Sequence, residues 1–567
     1  MRADVWAPFA KTVACRRAGN DVPMTRADDG WWRGPDLADG EDYGFLVDGA
    51  GPLPDPRSPR QPYGVHGLSR AFDASRFEWT DSGWSGRDAR GAVFYELHVG
   101  TFTKDGTLDS AISELASLAA AGIEFIELMP LAPMPGSRGW GYDGVSLYGV
   151  YEEYGGPAAL QRFVDAAHAC GLAVALDVVY NHLGPDGNYL DAFGPYFTGV
   201  HHTPWGAAVN LDQRGSVEVR RYFVDNALRW FREFHIDGLR LDAVHTLVDD
   251  SPTPFLAQLS AETAEVAREL GRPLSLVAES DLNDPLTVTA LADGGLGQTA
   301  QWADDVHHAL HAYLTGERGG VYGDFGSIET LDHVYRNVFL HDGRWSSFRQ
   351  QRWGHPVPES LDRRRFVVCA TNHDQVGNRM AGDRPSTLLT HGAQAASLAL
   401  VLLSPFTPLL FQGEEYGETR PFPFFSDHEE PLGAAVTRGR YEEFERHAWA
   451  RSAECPDPQD PATFASAKLD RSASGPVNAA IRAWLSAVIA ARPLTQLPDA
   501  WERNPVSVTE REPRQLTMSG PVIVHANLSA DPVTYEGRPL AVFGTVATHD
   551  EGFTLQPDAV ALVAGNI

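Results

Sequence analysis

Eight short apolar runs alternate with amphipathic stretches through the middle of the chain, and this alternation limits the fold more than any other feature. Apolar runs of about four to eight residues are typical of buried strands, and a 3.6-residue apolar period is typical of helices. Strands joined through helices pair in parallel. Eight such units predict an α/β fold, a (β/α)8 TIM barrel whose centre is filled by bulky side chains. The predicted strands are 93–99, 125–129, 172–179, 238–243, 274–279, 298–302, 366–371 and 408–412.

The segments on either side of this barrel have the pattern of β domains. Residues 1–88 are rich in Gly, Pro and Asp, and their turn signals recur about every 8 to 12 residues, which predicts an N-terminal β-sandwich domain. Residues 89–475 would form the barrel with loop insertions, the longest of them within 316–362. Residues 476–567 begin with a helical pattern and continue with short alternating runs, which predicts a C-terminal antiparallel β domain.

The composition excludes two classes of protein. The chain has 567 residues, of which 43% are hydrophobic, and 14 Trp and 27 Phe are more than a disordered chain contains. There are 46 Lys and Arg against 75 Asp and Glu, a net charge of −29. Binding of phosphate backbones needs clustered cations, so we expect no nucleic-acid partner.

The cysteines and the apolar segments indicate the compartment. The four cysteines lie far apart without a CxxC pair, which is typical of reduced thiols. The N-terminus lacks the basic and apolar regions of a signal peptide. The most apolar stretch, 393–411, is interrupted by Ser404, Pro405 and Pro408, and we interpret it as a buried helix followed by a buried strand. We therefore expect a cytoplasmic monomer that contacts no membrane.

Polar motifs follow four of the predicted strands. These motifs are DVVYNH at 177–182, GLRLDAVH at 238–245, AES at 278–280 and TNHDQ at 371–375. In a barrel of this kind the active site lies at the C-terminal ends of the strands. One carboxylate there is explained by a salt bridge or a helix cap, but four such ends together favour a catalytic site.

Three of these carboxylates suit glycoside hydrolysis. One carboxylate attacks the anomeric carbon while a second, protonated, donates to the leaving oxygen. Arg240 lies two residues before Asp242 on the same face of a strand and would keep that carboxylate ionised. Glu279 lies in an apolar run near other carboxylates, and both conditions raise the pKa of an acid.

The remaining polar and aromatic residues fit a sugar ligand. Asp374 would bind sugar hydroxyls, with His182 and His373 as hydrogen-bond donors. Several aromatic residues are predicted in loops, where their rings would stack on pyranose faces, although core or loop packing is the better explanation for any one of them. They are Trp140, Tyr142, Trp205, Trp302, Trp345 and Trp353, and only Tyr142, in the GWGYD loop, is singled out.

The four motifs, in this order, resemble the signature regions of the family 13 glycoside hydrolases, the α-amylase family, over about residues 90–470. The resemblance implies a retaining mechanism with Asp242 as nucleophile, Glu279 as proton donor and Asp374 as transition-state stabiliser. It implies about 5–5.5 Å between the carboxyl groups of Asp242 and Glu279. It implies no cofactor.

Further segments resemble a narrower branch of this family. They are ESDLNDP at 279–285, QWADDVHH at 301–308 and the segment 411–428, together with His245. The resemblance implies hydrolysis of the α-1,4 bond next to the terminal trehalose unit of malto-oligosyltrehalose, with related α-1,4-glucans as ligands. The residues that it implies at the substrate are Tyr142, His182, Arg240, His245, Asp281, Asp304, Asp305, His307, His308, His373, Gln375 and Asn378.

Several alternatives stay open at this point. Family 13 enzymes often bind Ca²⁺ near the position of Asn181, although hydrogen bonding by that side chain is the simpler interpretation and we expect no metal. A 1,4-α-glucan branching enzyme shares the three carboxylates and transfers glucan chains instead of hydrolysing them. A non-catalytic homologue usually lacks one of the carboxylates. A generic barrel whose surface acidity only keeps it soluble is the last alternative.

Overall fold

The computed structural model describes residues 1–446 and 455–565, and its centre is a closed barrel of eight parallel strands. Every residue of these strands is buried, which is why their sequences are nearly continuous apolar runs. The predicted barrel is confirmed. In chain order, β1 to β8 are Phe94–Leu97, Phe125–Leu128, Ala173–Val178, Gly238–Leu241, Ser275–Ala278, Ala300–Trp302, Phe366–Cys369 and Thr407–Phe411.

Helices surround the barrel and cover its strands. In the helix Leu108–Ala120 the buried residues recur every three or four positions, and the Thr107 hydroxyl caps the first turn by accepting from the Ser110 backbone N–H. The helix His391–Leu402 is buried on nearly all sides, as predicted. The other long helices are Gly156–Ala169, Ser216–Glu233, Phe255–Leu270, Asp304–Thr315, Ile328–Asn337, Leu432–Arg446 and Pro476–Ala491. The short ones are Val99–Phe102, Leu190–Phe193, His373–Gly377, Pro385–Leu388, Pro461–Ser466 and Ala500–Arg503. Among the helices of the described residues, none combines the length and the apolar character needed to cross a bilayer.

The barrel interior also contains a layer of polar side chains. Glu96 of β1 pairs in register with Glu127 of β2, and Asp177 of β3 pairs with Arg240 of β4. None of these four residues is more than 3% exposed. Since they lie close to the C-terminal ends of their strands, this layer forms the floor of any site built there.

Antiparallel sheets flank the barrel at both ends of the chain. The N-terminal part has a three-stranded sheet and a five-stranded sheet, and the C-terminal part has a sheet of each size as well. The N-terminal strands are Val5–Trp6, Thr25–Arg26 and Trp31–Arg33, then Val13–Arg17, Asn20–Pro23, Asp42–Val47, Ala50–Leu53 and Ser69–Arg70. The C-terminal strands are Ser507–Glu510, Gln515–Ser519, Val522–Asn527, Pro539–Phe543 and Ala559–Ala564, then Val533–Glu536, Val546–Thr548 and Gly552–Leu555. Two small hairpins, Phe197–Thr203 with Gly206–Val209 and Trp345–Ser346 with Gln351–Arg352, project from loops of the barrel.

Candidate active site

A cleft of about 810 Å³ opens at the C-terminal ends of the barrel strands. The three catalytic candidates reach it from three different strands. Asp242 directly follows β4, Glu279 directly follows β5, and Asp374 lies in the first turn of the short helix after β7. The predicted residues that line the cleft are Trp140, Tyr142, His182, Trp205, Asp242, His245, Glu279, His373, Asp374 and Asn378.

Arg240 lies beneath the cleft, fully buried, and joins three carboxyl groups. Its Nη1 donates to Asp242 Oδ1 at 2.7 Å and to Asp177 Oδ2 at 2.9 Å. Its Nη2 lies 3.0 Å from Glu279 Oε2. The guanidinium plane also lies over the Trp302 ring, 4.4 Å from its centroid. One rigid, permanently charged group therefore fixes the relative positions of Asp242 and Glu279.

Asp242 and Glu279 differ in pKa because their surroundings differ. Burial raises the pKa of the Asp242 carboxyl, but Arg240 and a hydrogen bond from Asn181 Nδ2 at 2.7 Å outweigh it and bring the pKa below its usual range. Burial and the charges of Asp242 and Asp374 raise the pKa of Glu279 to about 8 against the opposing charge of Arg240. At neutral pH the site therefore holds an ionised Asp242 beside a protonated Glu279, two carboxyl groups in different protonation states.

The backbone after Asp242 supports this pair. Ala243 has φ 39° and ψ 50°, a left-handed conformation that costs a residue with a Cβ free energy. In this conformation its N–H donates to Glu279 Oε2 at 2.7 Å. The strained turn therefore directs a backbone donor at the second carboxyl group.

His373 and Tyr142 connect the far side of the cleft to the same network. The Tyr142 hydroxyl lies 2.6 Å from Asp177 Oδ2 and 2.8 Å from His373 Nε2. His373 Nε2 lies 3.6 Å from Asp374 Oδ1, and Asn378 Nδ2 donates to the same oxygen at 3.1 Å. Asp374 remains 39% exposed in its side chain, so it can reach a ligand.

His182 forms another part of the wall through its neighbours. Its Nε2 lies 3.0 Å from the Tyr142 carbonyl oxygen, its Nδ1 contacts Asn181 Oδ1, and its ring stacks on Trp205 with centroids 4.5 Å apart. Asn181 Nδ2 donates to both the carbonyl and the carboxylate of Asp242. Both ends of the Asn181 amide thus bind protein groups.

His245 and Asp281 lie together beside Glu279. His245 Nδ1 accepts from the Asp281 backbone N–H at 3.3 Å, and burial lowers the pKa of the His245 ring. A neutral ring with Nδ1 as acceptor carries its proton on Nε2. The Asp281 carboxylate is bound by Arg349, from the insertion that follows β6.

The other predicted residues do not line the cleft. Asp305 is buried, and its Oδ2 accepts from the backbone N–H groups of Leu340 and His341 at 2.8 and 3.0 Å. His307 is 1% exposed and lies 2.6 Å from the Ala370 carbonyl oxygen.

Three further residues lie on the same side of the site. His308 Nδ1 lies 3.9 Å from Asp305 Oδ1. The Gln375 backbone N–H donates to Asn372 Oδ1, which caps the N-terminus of the short helix after β7. Burial and the charges of Asp374, Asp281 and Asp305 raise the pKa of Asp304 to about 6.

Sequence reasoning missed part of the site and misplaced one residue. Trp302 ends the predicted strand 298–302 and is the buried last residue of β6, so it does not lie in a loop where its ring could stack on a sugar. The helix Leu432–Arg446 contributes Val436 and Arg440 to the cleft wall, and Arg440 Nη1 donates to Asn378 Oδ1 at 3.0 Å. Nothing in the sequence of this helix marks it as part of a site, because only its position after β8 brings it there.

One group of side chains has the spacing of a metal site. Ligand atoms of His201, Asp212 and Asp250 lie within 4.8 Å of one another. They already bond to each other, since Asp212 Oδ2 lies 2.8 Å from His201 Nε2 and accepts from the Asp250 backbone N–H at 2.9 Å. These bonds attach the hairpin that carries Trp205 to the loop after β4.

The chain is similar to known proteins of one enzyme family. Residues 74–194 match the family model "Alpha amylase, catalytic domain". The chain is 50% identical to a malto-oligosyltrehalose trehalohydrolase from Arthrobacter ramosus, over 99% of both chains. A 1,4-alpha-glucan branching enzyme from Bacillus cereus is 31% identical over 53% of this chain and 52% of its own. A crystal structure of a Salmonella typhimurium protein provisionally named alpha amylase superposes with a TM-score of 0.89 at 35% identity, over 100% of this chain and 97% of that one.

Proposed function

The chain belongs to the malto-oligosyltrehalose trehalohydrolases of the α-amylase family, and we propose that Asp242, Glu279 and Asp374 catalyse its reaction. The reaction is hydrolysis of malto-oligosyltrehalose with release of trehalose. The observation that carries the assignment of roles is the shared guanidinium of Arg240, which contacts an ionised Asp242 and a protonated Glu279.

Asp242 is the nucleophile in this proposal. Arg240 donates a hydrogen bond to Asp242 Oδ1 and Asn181 donates one to Asp242 Oδ2, so the carboxylate is held in one orientation and stays ionised. It attacks the anomeric carbon of the glucosyl unit next to the trehalose, and the bond from that carbon to the trehalose O4 breaks. The sugar chain is then held as a covalent ester, and water later releases it with retained α configuration.

Glu279 supplies the proton in this proposal. A pKa of about 8 keeps the carboxyl protonated at neutral pH, and it donates to the trehalose O4 as the bond breaks. Once ionised, it takes a proton from the water that attacks the ester. The Ala243 N–H and Arg240 then stabilise the new charge.

The remaining cleft residues bind the sugars in this proposal. Asp374 contacts the hydroxyls of the distorted ring, with Tyr142, His182, His245, His373 and Asn378 around it. We also propose Asp281 and Asp304 as residues at the edge of the site, since the Asp281 backbone N–H donates to His245 and burial and the charge of Asp374 raise the pKa of Asp304. Asp305 and His307 act by holding the insertion after β6 and the end of β7 against the cleft.

Three broader statements are also proposals. We propose domain boundaries at residues 88 and 475, which fall between the sheets and the barrel elements. We propose a cytoplasmic location, supported by four free cysteines. We propose a monomer acting on malto-oligosyltrehalose and related α-1,4-glucans, supported by a single chain that supplies all three carboxylates to one cleft.

Product analysis tests the function. The purified enzyme is given malto-oligosyltrehalose or, separately, maltohexaose, and sugars are separated by anion-exchange chromatography. Trehalose and a shortened maltodextrin are expected from the first substrate, with the new reducing end in the α form by NMR at early times. Branched glucan as the main product would instead favour the branching enzyme.

Two variants test the roles of the carboxylates. Asp242→Ala and Glu279→Gln should each lower kcat at least about a hundredfold while leaving the circular dichroism spectrum unchanged. Asp55→Asn is the matched control, because Asp55 is a buried carboxylate outside the cleft that binds the Tyr43 hydroxyl and the Arg57 backbone N–H. Substantial turnover by the Asp242 or the Glu279 variant would contradict the assignment.

A further inference from the structure

Glu96, on β1, is a buried carboxylate that the proposed reaction does not use. It is 1% exposed and lies directly beneath His373. Its Oε2 accepts from the backbone N–H of His373 at 2.8 Å, and its Oε1 lies 2.6 Å from His373 Nδ1. Both oxygens of Glu96 are therefore directed at one residue of the cleft wall.

The hydrogen bonds around His373 determine where its protons lie. The Tyr142 hydroxyl has one proton and lies 2.6 Å from the acidic Asp177 Oδ2, to which it donates. It can then only accept from His373 Nε2, 2.8 Å away, so Nε2 carries a proton. Nδ1 faces Glu96 Oε1. A carboxylate oxygen can only accept a hydrogen bond, so Nδ1 carries a proton as well.

We propose that Glu96 is a positioning residue that holds His373 as a doubly protonated cation, and that this cation directs the Tyr142 hydroxyl to Asp177. The inference rests on the proposed function, because it concerns the wall of the same cleft. If the ring were neutral with its proton on Nδ1, then Nε2 would be an acceptor and would draw the Tyr142 proton away from Asp177. Asp177 would lose the hydrogen bond that the Tyr142 hydroxyl donates to it. Arg240 donates to both Asp177 and Asp242, so its hydrogen bonds to these two carboxyl groups would change as well.

The charges around His373 favour the cation. The ionisable groups that face it from the surrounding elements are Glu96, His98, Glu127, Tyr142, Asp177, Arg240 and Asp374. Burial raises the pKa of Glu127 well above its usual range and lowers that of His98 to about 4, so neither is charged at neutral pH. The carboxyl groups of Glu96, Asp177 and Asp374 remain, and they outnumber the single cation of Arg240. Burial alone would lower the pKa of His373, but Glu96 and Asp374 raise it to about 9.

Glu127 provides the matched control. It is the register partner of Glu96 on the neighbouring strand, it is equally buried at 1% exposure, and it makes no hydrogen bond to His373. Because Glu127 is neutral at pH 7, Glu127→Gln changes neither charge nor shape appreciably. Glu96→Gln has the same size and removes only the charge that faces His373.

Kinetics give the first test. In Glu96→Gln, His373 should lose its proton nearer the ordinary histidine pKa of about 6.5. We expect kcat for malto-oligosyltrehalose at about pH 7.5 to fall about tenfold and to recover to within about threefold of the wild type at about pH 5.5, with KM changed less than about twofold. Glu127→Gln and the conservative Glu96→Asp should keep the wild-type pH profile. A pH-independent loss in Glu96→Gln, or the same new ionisation in Glu127→Gln, would overturn the inference.

Nitrogen NMR gives a second test that does not need a folded Glu96 variant. The protein is labelled with ¹⁵N-histidine, and the His373 ring signals are identified by their absence in His373→Gln. Both ring nitrogens of the wild type should be protonated at about pH 7.5. A neutral ring in the wild type would refute the role of Glu96 and would leave the roles of Asp242 and Glu279 standing. A wild-type protein with a doubly protonated His373 ring but no activity on malto-oligosyltrehalose would support the role of Glu96 and contradict the roles of Asp242 and Glu279.

Discussion

The alkaline side of the pH–rate profile depends on Glu279. Its pKa of about 8 means that about nine-tenths of the enzyme carries the acid proton at pH 7 and about one-tenth at pH 9. We therefore expect kcat/KM for malto-oligosyltrehalose to fall about tenfold between these pH values. The loss follows the concentration of the protonated acid, because the trehalose oxygen cannot leave without a proton.

A second substrate separates this ionisation from any other. Initial rates are measured far below KM from about pH 5 to about pH 8.5, with malto-oligosyltrehalose and with α-maltosyl fluoride. Fluoride leaves without a proton, so its kcat/KM should stay level where that of the oligosaccharide falls. Glu279→Gln should retain the reaction with the fluoride and lose the reaction with the oligosaccharide. An equal alkaline decline with both substrates, or a level profile to about pH 8.5 with the oligosaccharide, would refute the role of Glu279.

The same pKa predicts an effect on stability. A carboxyl group with a raised pKa in the folded state contributes stability that is fully present below the unfolded pKa, near 4.5, and is lost as pH rises through about 8. Between these values the wild type should lose up to about 1.4 kcal/mol of its free energy of unfolding per pH unit relative to Glu279→Gln. Urea unfolding of both proteins at about pH 5 and about pH 7.5 measures this difference. Identical pH dependence in the two proteins would show that the raised pKa is wrong.

Two further substitutions test the network below the cleft. Arg240→Met should lower the free energy of unfolding by about 3–5 kcal/mol, because the buried carboxylates of Asp177 and Asp242 lose their counterion. Arg336→Met breaks the exposed pair of Arg336 with Asp332 and should lower it by less than about 1 kcal/mol. Equal losses of stability in urea unfolding would contradict the buried-pair argument. Tyr142→Phe leaves the donor of His373 and the acceptor of Asp177 unpaired, so kcat should fall about ten- to a hundredfold. Steady-state kinetics check this, and wild-type kcat would show that the hydroxyl does not transmit the position of His373.

The strands were predictable from the sequence because a parallel barrel buries both faces of each strand. The predicted segment 125–129 is the observed Phe125–Leu128, and 238–243 is Gly238–Leu241. The differences lie at the C-terminal ends, where the apolar pattern continues into Asp242-Ala-Val although the hydrogen-bond ladder has ended. A strand pattern reports burial, and the residues that leave the ladder to enter the site are buried too.

The polar layer of the barrel was not predictable in the same way. In Phe94–Leu97 the glutamate alternates with apolar residues, which is also the pattern of a strand with one face in solvent. Only closure of the barrel places Glu96 opposite His373, which follows it by 277 positions in the chain. Arg440 was missed for a related reason, since its contact with Asn378 spans 62 positions and neither residue has a local signal for it.

The division of roles between Asp242 and Glu279 follows from unequal access to one cation. Asp177, Asp242 and Glu279 all contact Arg240, and a single positive charge cannot keep three buried carboxyl groups ionised. Asp242 has the shortest of these contacts and an additional amide donor, because it lies two residues after Arg240, directly after the end of β4, and next to Asn181. Glu279 is on the neighbouring strand, lacks the amide, and is repelled by the charge that Asp242 retains. The spacing of Arg240 and Asp242 thus decides which carboxyl group loses its proton, and the other is left as the acid.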